Sequence, residues 1–376
     1  MVVALLGILV YIHFHNIMST ISIYDDVTNN NNKKNNIHGT GTIIRYPPPR
    51  LVMGIMSHNL VRMERDRRQA LRDSYLSWYK ANNDSTTSSF ATTPNRICTL
   101  QELPDTAACQ LAYVFVLGAP TQQLTMMTTN QTELLDRSSS KDMILMPSND
   151  DTEFYTYQDM LYLNIVENGE FGKTPTWFRY ATLFLEEHDL DTVDYIAKTD
   201  SDTLLYPNRF FRWLSHKEET FLMATTTTSS SSSSSSIMGH SRLRHPSVVR
   251  RQAIYGGSPF DRAMCGYPDH QHCMQLVAPL YMGGAFYFLS RDLAAFVSGP
   301  DCPRRRLFLP HEDIAMGNYV FSYPNDNNGT TSKITIWGAD SMAYYNLWKH
   351  PVKEPKRIKG LWRKNLRARE QRQAYK

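Results

Sequence analysis

The chain lacks the cysteine spacing of a zinc or thioredoxin-type site. Its 376 residues include five cysteines, and no two of them form a C-x-x-C pair. In an oxidising compartment this number allows at most two disulfides and leaves one free thiol. Proximity in sequence allows Cys98 to pair with Cys109 and Cys265 to pair with Cys273, and the fifth cysteine is Cys302.

The chain also lacks an uninterrupted apolar run of the roughly 20 residues that span a bilayer. Its apolar start, MVVALLGILVYI, is interrupted by His13, His15 and Asn16 before a second patch at Ile17–Tyr24. No basic residue precedes the run, which makes it an imperfect signal peptide. We interpret residues 1–24 as a signal-anchor that would attach the chain to a membrane.

A strong charge imbalance is missing as well, since the formal net charge is only +4. Residues 353–376 carry ten basic and two acidic side chains, and the remainder of the chain sums to −4. We interpret 353–376 as a basic C-terminal tail, because such runs are usually solvated. The acidic remainder and the absence of a reading motif exclude nucleic acid as a partner.

Low-complexity segments divide the chain. The Asn-rich stretch VTNNNNKKNNIHGTGT and the stiff run Pro47–Pro49 predict a flexible stem over residues 25–50. The run TTTTSSSSSSSS predicts a disordered insertion at residues 225–236. Between stem and tail, residues 51–352 are long enough for a full core, and the hydrophobic share of 41% is that of a globular protein.

Strand and helix patterns alternate in this body. LVMGIMSH, LAYVFVLGAP and VDYIAKTD are apolar strand candidates, and ERDRRQALRDSYLSWY follows the first of them with helical spacing of its apolar residues. Thr174 and Pro175 predict the N-cap and first turn of a further helix. The alternation predicts a single α/β domain with a largely parallel sheet.

The third strand candidate ends in the sequence Asp200-Ser201-Asp202. Alternate side chains of a strand share a face, so the two aspartates point together and the serine points away. Two adjacent like charges are costly unless a metal ion or a proton lies between them. The alternative is a strand end at which both aspartates are solvated.

Two pairs of residues offer ligand contacts. Arg68 and Arg72 lie four apart on one helical face, which can hold phosphates or a uracil ring, or can be a solvated basic face. Gly283 and Gly284 head an aromatic strand, where they allow a ligand to approach the backbone closely or form a β-bulge.

Two late stretches offer catalytic or metal-binding groups. In HEDIAMG, Glu312 and Asp313 stand at a loop-to-helix junction, where a carboxylate can act as a general base or cap the helix. His350 is a lone histidine that could give a nitrogen ligand to a carboxylate-bound metal.

Taken in order, these stretches resemble glycosyltransferase family 31, the inverting β-1,3-glycosyltransferases of the secretory pathway. RRQALRDSY is similar to R-R-x-A-I-R-x-T-W, with Tyr75 in place of tryptophan, and FVLG resembles the second-strand signature. KTDSDTLLYPNRF resembles K-T-D-D-D-V-F-V-N, with Ser201 in place of the middle aspartate. GGAFYFLSRDLA resembles G-G-x-G-Y-V-L-S, with Ala285 and Phe286 as departures, and EDIAMG resembles E-D-V-x-x-G.

The resemblance implies a GT-A fold and a hexosyltransferase with a UDP-sugar donor and a glycan or glycoprotein acceptor. It assigns the catalytic base to Asp313. A Mn²⁺ or Mg²⁺ site would use Asp202, Asp200 and His350. Nucleotide-sugar binding falls to Arg68, Arg72, Lys198, Asp200 and Ser201. The acceptor and sugar pocket falls to Gly283, Gly284 and Glu312. With the anchor, it implies a single-pass type II Golgi membrane protein whose catalytic domain is lumenal.

Two rival hypotheses remain. Asp200-Ser201-Asp202-Thr203 fits the D-x-D-x-T of haloacid-dehalogenase-type phosphatases, although that motif normally stands near the start of its sheet. An anchored ectodomain that binds glycans without catalysis has the same overall layout. Hydrolysis of a generic phosphomonoester separates the phosphatase from the transferase.

Overall fold

Strands form the centre of the molecule. The computed structural model describes residues 48–58, 61–77, 96–106, 109–119, 135–147, 151–167, 172–228, 252–261, 280–303, 311–324, 334–339 and 346–374. In chain order the strands are β1 (Leu51–Met56), β2 (Arg96–Thr99), β3 (Cys109–Ala119), β4 (Met160–Val166), β5 (Tyr195–Asp200), β6 (Leu204–Leu205), β7 (Ile254–Asp261), β8 (Leu280–Ser290), β9 (Thr335–Gly338) and β10 (Trp348–Lys349).

Helices cover the sheet. They are α1 (Arg62–Leu71), α2 (Thr152–Tyr157), α3 (Lys173–Glu187), α4 (Pro207–Thr228), α5 (Arg291–Ser298), α6 (Glu312–Val320) and α7 (Pro355–Ala374). A π-helical turn, Arg72–Leu76, continues α1, and a 3₁₀ turn lies at Ser140–Met143.

The central sheet has eight strands in the described residues, in the order β2–β3–β1–β5–β8–β7–β9, with β4 also paired to β3. β1 runs parallel to β3 and β5, and β3 runs parallel to β2 and β4. β8 is antiparallel to both β5 and β7. The predicted α/β class with a largely parallel sheet is therefore confirmed. The strand that ends at Asp200 was predicted to be the third along the chain. It is the fifth, because β2 and β4, which were not predicted, precede it.

The sheet separates two hydrophobic cores. Val52 of β1 faces the core that contains Trp177 of α3, while Met53 faces the core that contains Leu71 of α1. α3 lies so close to the sheet that a Cβ on Gly54 would come within 2.5 Å of the Trp177 ring. The period-two alternation of β1 thus holds a helical layer on each face.

The C-terminal segment differs from the predicted basic tail. It forms α7, and this helix buries Ile358 and Trp362, which are 0% and 5% exposed, in the core shared with α1. The exposed residues of this helix include Lys356, Arg357, Arg363, Lys364 and Arg367. The described part of α7 is therefore amphipathic, with charged residues facing solvent and apolar residues facing the core. The globular body therefore continues past the predicted boundary at residue 352, and residues 48–376 cluster as one unit.

Two other boundaries also differ. The N-cap of α3 is Gly172, in the left-handed conformation at φ 78°, and Thr174 lies inside the helix. α4 extends to Thr228, so Thr225–Thr228 of the predicted insertion are helical and the rest of that insertion lies outside the described residues. Boundaries of this kind follow the tertiary packing as well as the local sequence.

Cys98 and Cys109 form a disulfide that joins β2 to β3, as spacing had allowed. Cys302 is buried as a thiol. The other candidate pair, Cys265 and Cys273, and the predicted anchor at residues 1–24 lie outside the described residues. Within the described ranges, no helix combines the length and the apolar character needed to cross a bilayer.

Candidate active site

The candidate site lies at the edge of the sheet where β1 and β5 end. Met56 pairs with Asp200 in the parallel register, so both strands finish at the same level. β8 runs the opposite way, with Phe286 opposite Thr199, and therefore brings its amino-terminal half to this edge. The carboxyl ends of parallel strands are the usual place for a ligand in an open α/β sheet.

Asp200, Asp202 and His350 come together here. His350 Nε2 lies 3.2 Å from Asp202 Oδ1 and 3.8 Å from Asp200 Oδ2. One ligand atom from each of the three residues lies within 4.8 Å of the others. The aspartates therefore point together as the D-x-D spacing predicts.

Strand pairing explains how His350 reaches a site 148 to 150 residues earlier in the chain. Lys349 of β10 pairs with Leu204 of β6, immediately after the D-S-D turn. Beyond the histidine, the Val352 amide donates to the Asp202 carbonyl at 2.8 Å. The site thus depends on a two-stranded sheet that no local pattern announces.

These three side chains fit a divalent cation. Burial alone would raise the pKa of Asp202, but the hydrogen bond and positive charge of His350 outweigh it and hold that pKa low. Burial lowers the pKa of His350, and its two aspartate neighbours raise it above the ordinary value. Two carboxylates with one imidazole are a ligand set that suits Mn²⁺, and metal binding requires the neutral imidazole.

Lys198 links this cluster to α6. Its ammonium group lies 2.8 Å from Asp200 Oδ1 and 3.4 Å from Glu312 Oε1, and it donates to the Gly284 carbonyl at 2.7 Å. Burial lowers the pKa of Lys198, but Asp200 and Glu312 raise it further, so the group stays protonated. All of these partners belong to the protein, and a contact of Lys198 with a nucleotide stays a prediction.

Asp313 lies in the first turn of α6, as the loop-to-helix pattern predicts. Its carboxylate accepts a hydrogen bond from the Gly284 amide. A Cβ on Gly284 would lie 2.5 Å from Asp313 Oδ1, whereas a Cβ on Gly283 would meet the ring of Phe260 at 2.6 Å. Gly284 thus allows the close approach, and both glycines are the fourth and fifth residues of β8 rather than its head.

The surroundings of Asp313 favour a general base. Burial raises its pKa to about 7, Glu312 and Asp200 push in the same direction, and Lys198 opposes them. A base is most effective when its pKa lies near the working pH. Asp313 is therefore poised to take and release a proton near neutrality.

Arg68 and Arg72 occupy a buried ion-pair cluster. Arg68 is 2% exposed and binds Glu153 through two bonds of 2.9 and 2.6 Å. Arg72 binds Glu153 at 2.8 Å and Asp159 at 2.7 Å, and its guanidinium lies 4.0 Å over the Tyr157 ring. The face is thus internal rather than solvated, and direct nucleotide binding by these arginines stays a prediction.

Glu64 is a site residue that the sequence analysis missed. Its Oε2 accepts the Ser201 hydroxyl at 2.5 Å and the Ser57 hydroxyl at 3.1 Å, and its other oxygen pairs with Arg67. Ser201 therefore points away from the aspartates, as alternation predicts, and towards α1. Glu64 stands in the charged run RMERDRR, where nothing local distinguishes it from a solvated acid.

The comparison with protein families adds an independent observation. The family model described as Galactosyltransferase matches residues 66–323, more than half of the chain. The matched range includes the D-S-D turn, the glycine pair and the start of α6, but neither Glu64 nor His350. No curated protein matches the chain.

Proposed function

The chain belongs to the galactosyltransferase family, the family that its motifs resemble, and from this premise we propose an inverting, metal-dependent hexosyltransferase that uses a UDP-sugar donor. The family and the largely parallel sheet identify a glycosyltransferase of GT-A type. The observation that carries the finer proposal is the arrangement of Asp200, Asp202 and His350 beside Asp313, with Lys198 between them.

Each group has a separate task in this proposal. Asp202, Asp200 and His350 would hold Mn²⁺ or Mg²⁺, which when bound offsets negative charge on the departing nucleotide diphosphate. Asp313 takes the proton from an acceptor hydroxyl as that oxygen attacks the anomeric carbon. Attack from the face opposite the diphosphate inverts an α-linked donor to a β-linked product. The acceptor is a glycan or glycoconjugate hydroxyl, and the linkage is β-1,3.

Lys198 and Gly284 support the base in this mechanism. Lys198 holds Asp200 and Glu312 in place from a buried position, and Gly284 gives Asp313 both its space and a backbone hydrogen bond. A preorganised base and donor site provide much of the rate effect in group transfer.

A secretory location accompanies this proposal. The Cys98–Cys109 disulfide supports an oxidising compartment, because cytosolic thiols are kept reduced. Combined with the predicted signal-anchor at residues 1–24, we propose a type II Golgi membrane protein with a lumenal catalytic domain. Protease protection of an epitope on the C-terminus in sealed microsomes, lost on adding detergent, is the expected result, and digestion without detergent would contradict it.

Release of UDP tests the catalytic proposal. The full chain is incubated with UDP-galactose, UDP-N-acetylglucosamine, UDP-N-acetylgalactosamine or UDP-glucose, with acceptor glycans, in Mn²⁺ or in chelator. We expect one donor to be consumed in Mn²⁺ alone and the Asp202→Asn variant to be inactive. The product's anomeric proton, followed by NMR, should show the β configuration.

Three other results would redirect the assignment. Hydrolysis of a generic phosphomonoester would favour the phosphatase hypothesis. If no donor gives UDP release, although the protein unfolds cooperatively and binds glycans, a non-catalytic ectodomain would be favoured. Equal activity in chelator would remove the metal from the mechanism.

A further inference from the structure

We propose that Glu64 and Arg67 of α1 are positioning residues that fix the distance between the two segments carrying the candidate metal ligands. This inference rests on the proposed function and deepens it. The D-S-D turn and the segment after β10 are far apart in sequence, and each is tied to the same turn of α1. Neither Glu64 nor Arg67 belongs to the ligand cluster itself.

The first tie holds the D-S-D turn. Ser201 is 5% exposed, and its hydroxyl donates to Glu64 Oε2 at 2.5 Å. The same oxygen accepts Ser57, which follows β1, so one carboxylate joins the ends of β1 and β5. Since Ser201 stands between Asp200 and Asp202, moving its hydroxyl would move both carboxylates.

The second tie holds the segment after His350. Arg67 Nε donates to the Lys353 carbonyl at 3.1 Å, and the Arg67 guanidinium pairs with Glu64. The side chains of Glu64 and Arg67 are 10% and 13% exposed, so water screens the pair only weakly. A continuous set of contacts therefore runs from Ser201 through Glu64 and Arg67 to Lys353.

This arrangement also explains Ser201, which stands where the resemblance expects an aspartate. An acid at this position would place a second carboxylate against the buried Glu64 Oε2, so that an acceptor of the same charge replaces the hydrogen-bond donor. A hydroxyl instead donates a hydrogen bond to the same oxygen. We therefore expect the effects of substitutions at positions 201 and 64 on Mn²⁺ binding to be coupled. A serine at position 201 requires an acidic residue at position 64, and an aspartate at position 201 requires a neutral residue there.

Direct Mn²⁺ binding to the full chain tests the inference. Free Mn²⁺ is titrated by its EPR signal, with and without UDP, against the wild type, Ser201→Asp, Glu64→Gln and the double variant. We expect Ser201→Asp to weaken Mn²⁺ binding about tenfold or more, in the range seen for outer-shell partners, and the added Glu64→Gln to restore it to within about threefold.

Arg67→Met and Asp73→Asn complete the set. Arg67→Met should weaken Mn²⁺ binding about tenfold, because it removes the contacts with the Lys353 carbonyl and with Glu64. It should keep the cooperative unfolding of the wild type, because neither hydrophobic core contains Arg67. Asp73→Asn breaks the exposed Lys359 pair, which joins the same helix layer to α7 at 2.5 Å but lies outside the chain of contacts. This control should bind Mn²⁺ as the wild type does.

The outcomes distinguish failure of the proposed metal dependence from failure of the positioning role. A wild type that binds no Mn²⁺, even with UDP, removes the metal from the proposed function and this inference with it. If the wild type binds Mn²⁺, and Ser201→Asp or Arg67→Met binds it as tightly or more tightly, the positioning role alone is overturned. If Ser201→Asp does not fold, the Arg67→Met titration decides by itself.

Discussion

Replacing the proposed base by an isosteric amide should stabilise the fold while stopping the reaction. In Asp313→Asn the partly buried carboxylate becomes neutral, and its shape is retained. The pKa of Asp313 is raised from 3.8 to about 7, first by burial and then by Glu312 and Asp200. A shift of about three pKa units corresponds to about 4 kcal/mol of unfavourable free energy for the ionised group. The side chain is partly exposed, so we expect about 2 to 4 kcal/mol.

The pH dependence of this gain has a definite sign. Between about pH 4 and pH 7 the folded protein keeps the Asp313 proton that the unfolded chain has lost, so the wild type loses stability as pH rises. Above pH 7 both states are ionised and the penalty is constant. The variant carries no titrating group at this position. The two proteins should therefore be nearly equal near pH 4 and differ most above pH 7.

Urea unfolding followed by tryptophan fluorescence, in chelator and at several pH values, measures this difference. Glu312→Gln is the matched control, because it removes the neighbouring acid and its ion pair with Lys198 and should lower stability. In the activity assay Asp313→Asn should lose at least about 10²-fold in turnover. A stability difference that is absent, reversed or independent of pH would refute the account of the buried charge.

Further predictions concern the base, the disulfide, α7 and the pH profile. Gly284→Ala should push the Asp313 carboxylate aside and lower turnover about 10²-fold, whereas Gly283→Ala meets only the movable, partly exposed ring of Phe260 and should stay active, as kinetics on both would show. In denaturant titrations, Cys98→Ser should lower the free energy of unfolding by about 2 to 3 kcal/mol. Its stability should then equal that of the wild type measured under reductant. Trp362→Ala should cost about 3 to 5 kcal/mol in the same assay. The kcat/KM of the wild type should rise with pH, with its midpoint near pH 7 where half of Asp313 has lost its proton, and level off at higher pH.

Contrary results have specific meanings. Equal turnover of Gly284→Ala and Gly283→Ala would show that catalysis does not require the close approach of Asp313 to Gly284. Unchanged stability without the disulfide would mean that β2 and β3 are held by their ladder alone. A small effect at the α7 tryptophan would mean that the helix is not part of the core. A flat pH profile would exclude a base that titrates near neutrality.

Much of the fold and part of the site follow from local sequence. Apolar runs located β1, β3 and β5, because a buried strand needs a largely apolar stretch, and an aromatic run located β8. The strand period set Asp200 and Asp202 on one side and Ser201 on the other. The loop-to-helix pattern placed Asp313 in the first turn of a helix. These features depend on residues only a few positions apart, so the sequence by itself determined them.

Tertiary structure decided the rest. His350 reaches Asp202 through the β6–β10 pairing and the contacts that follow it, and Glu64 meets Ser201 from 137 residues away. Arg68 resembles a surface cation in sequence, yet Glu153 neutralises it in a buried cluster. The basic run after residue 352 gave no sign of Trp362 packing beneath it. Each of these contacts forms between segments distant in the chain, and their energies depend on which surfaces the folded layers bring together, information that no short window of sequence contains.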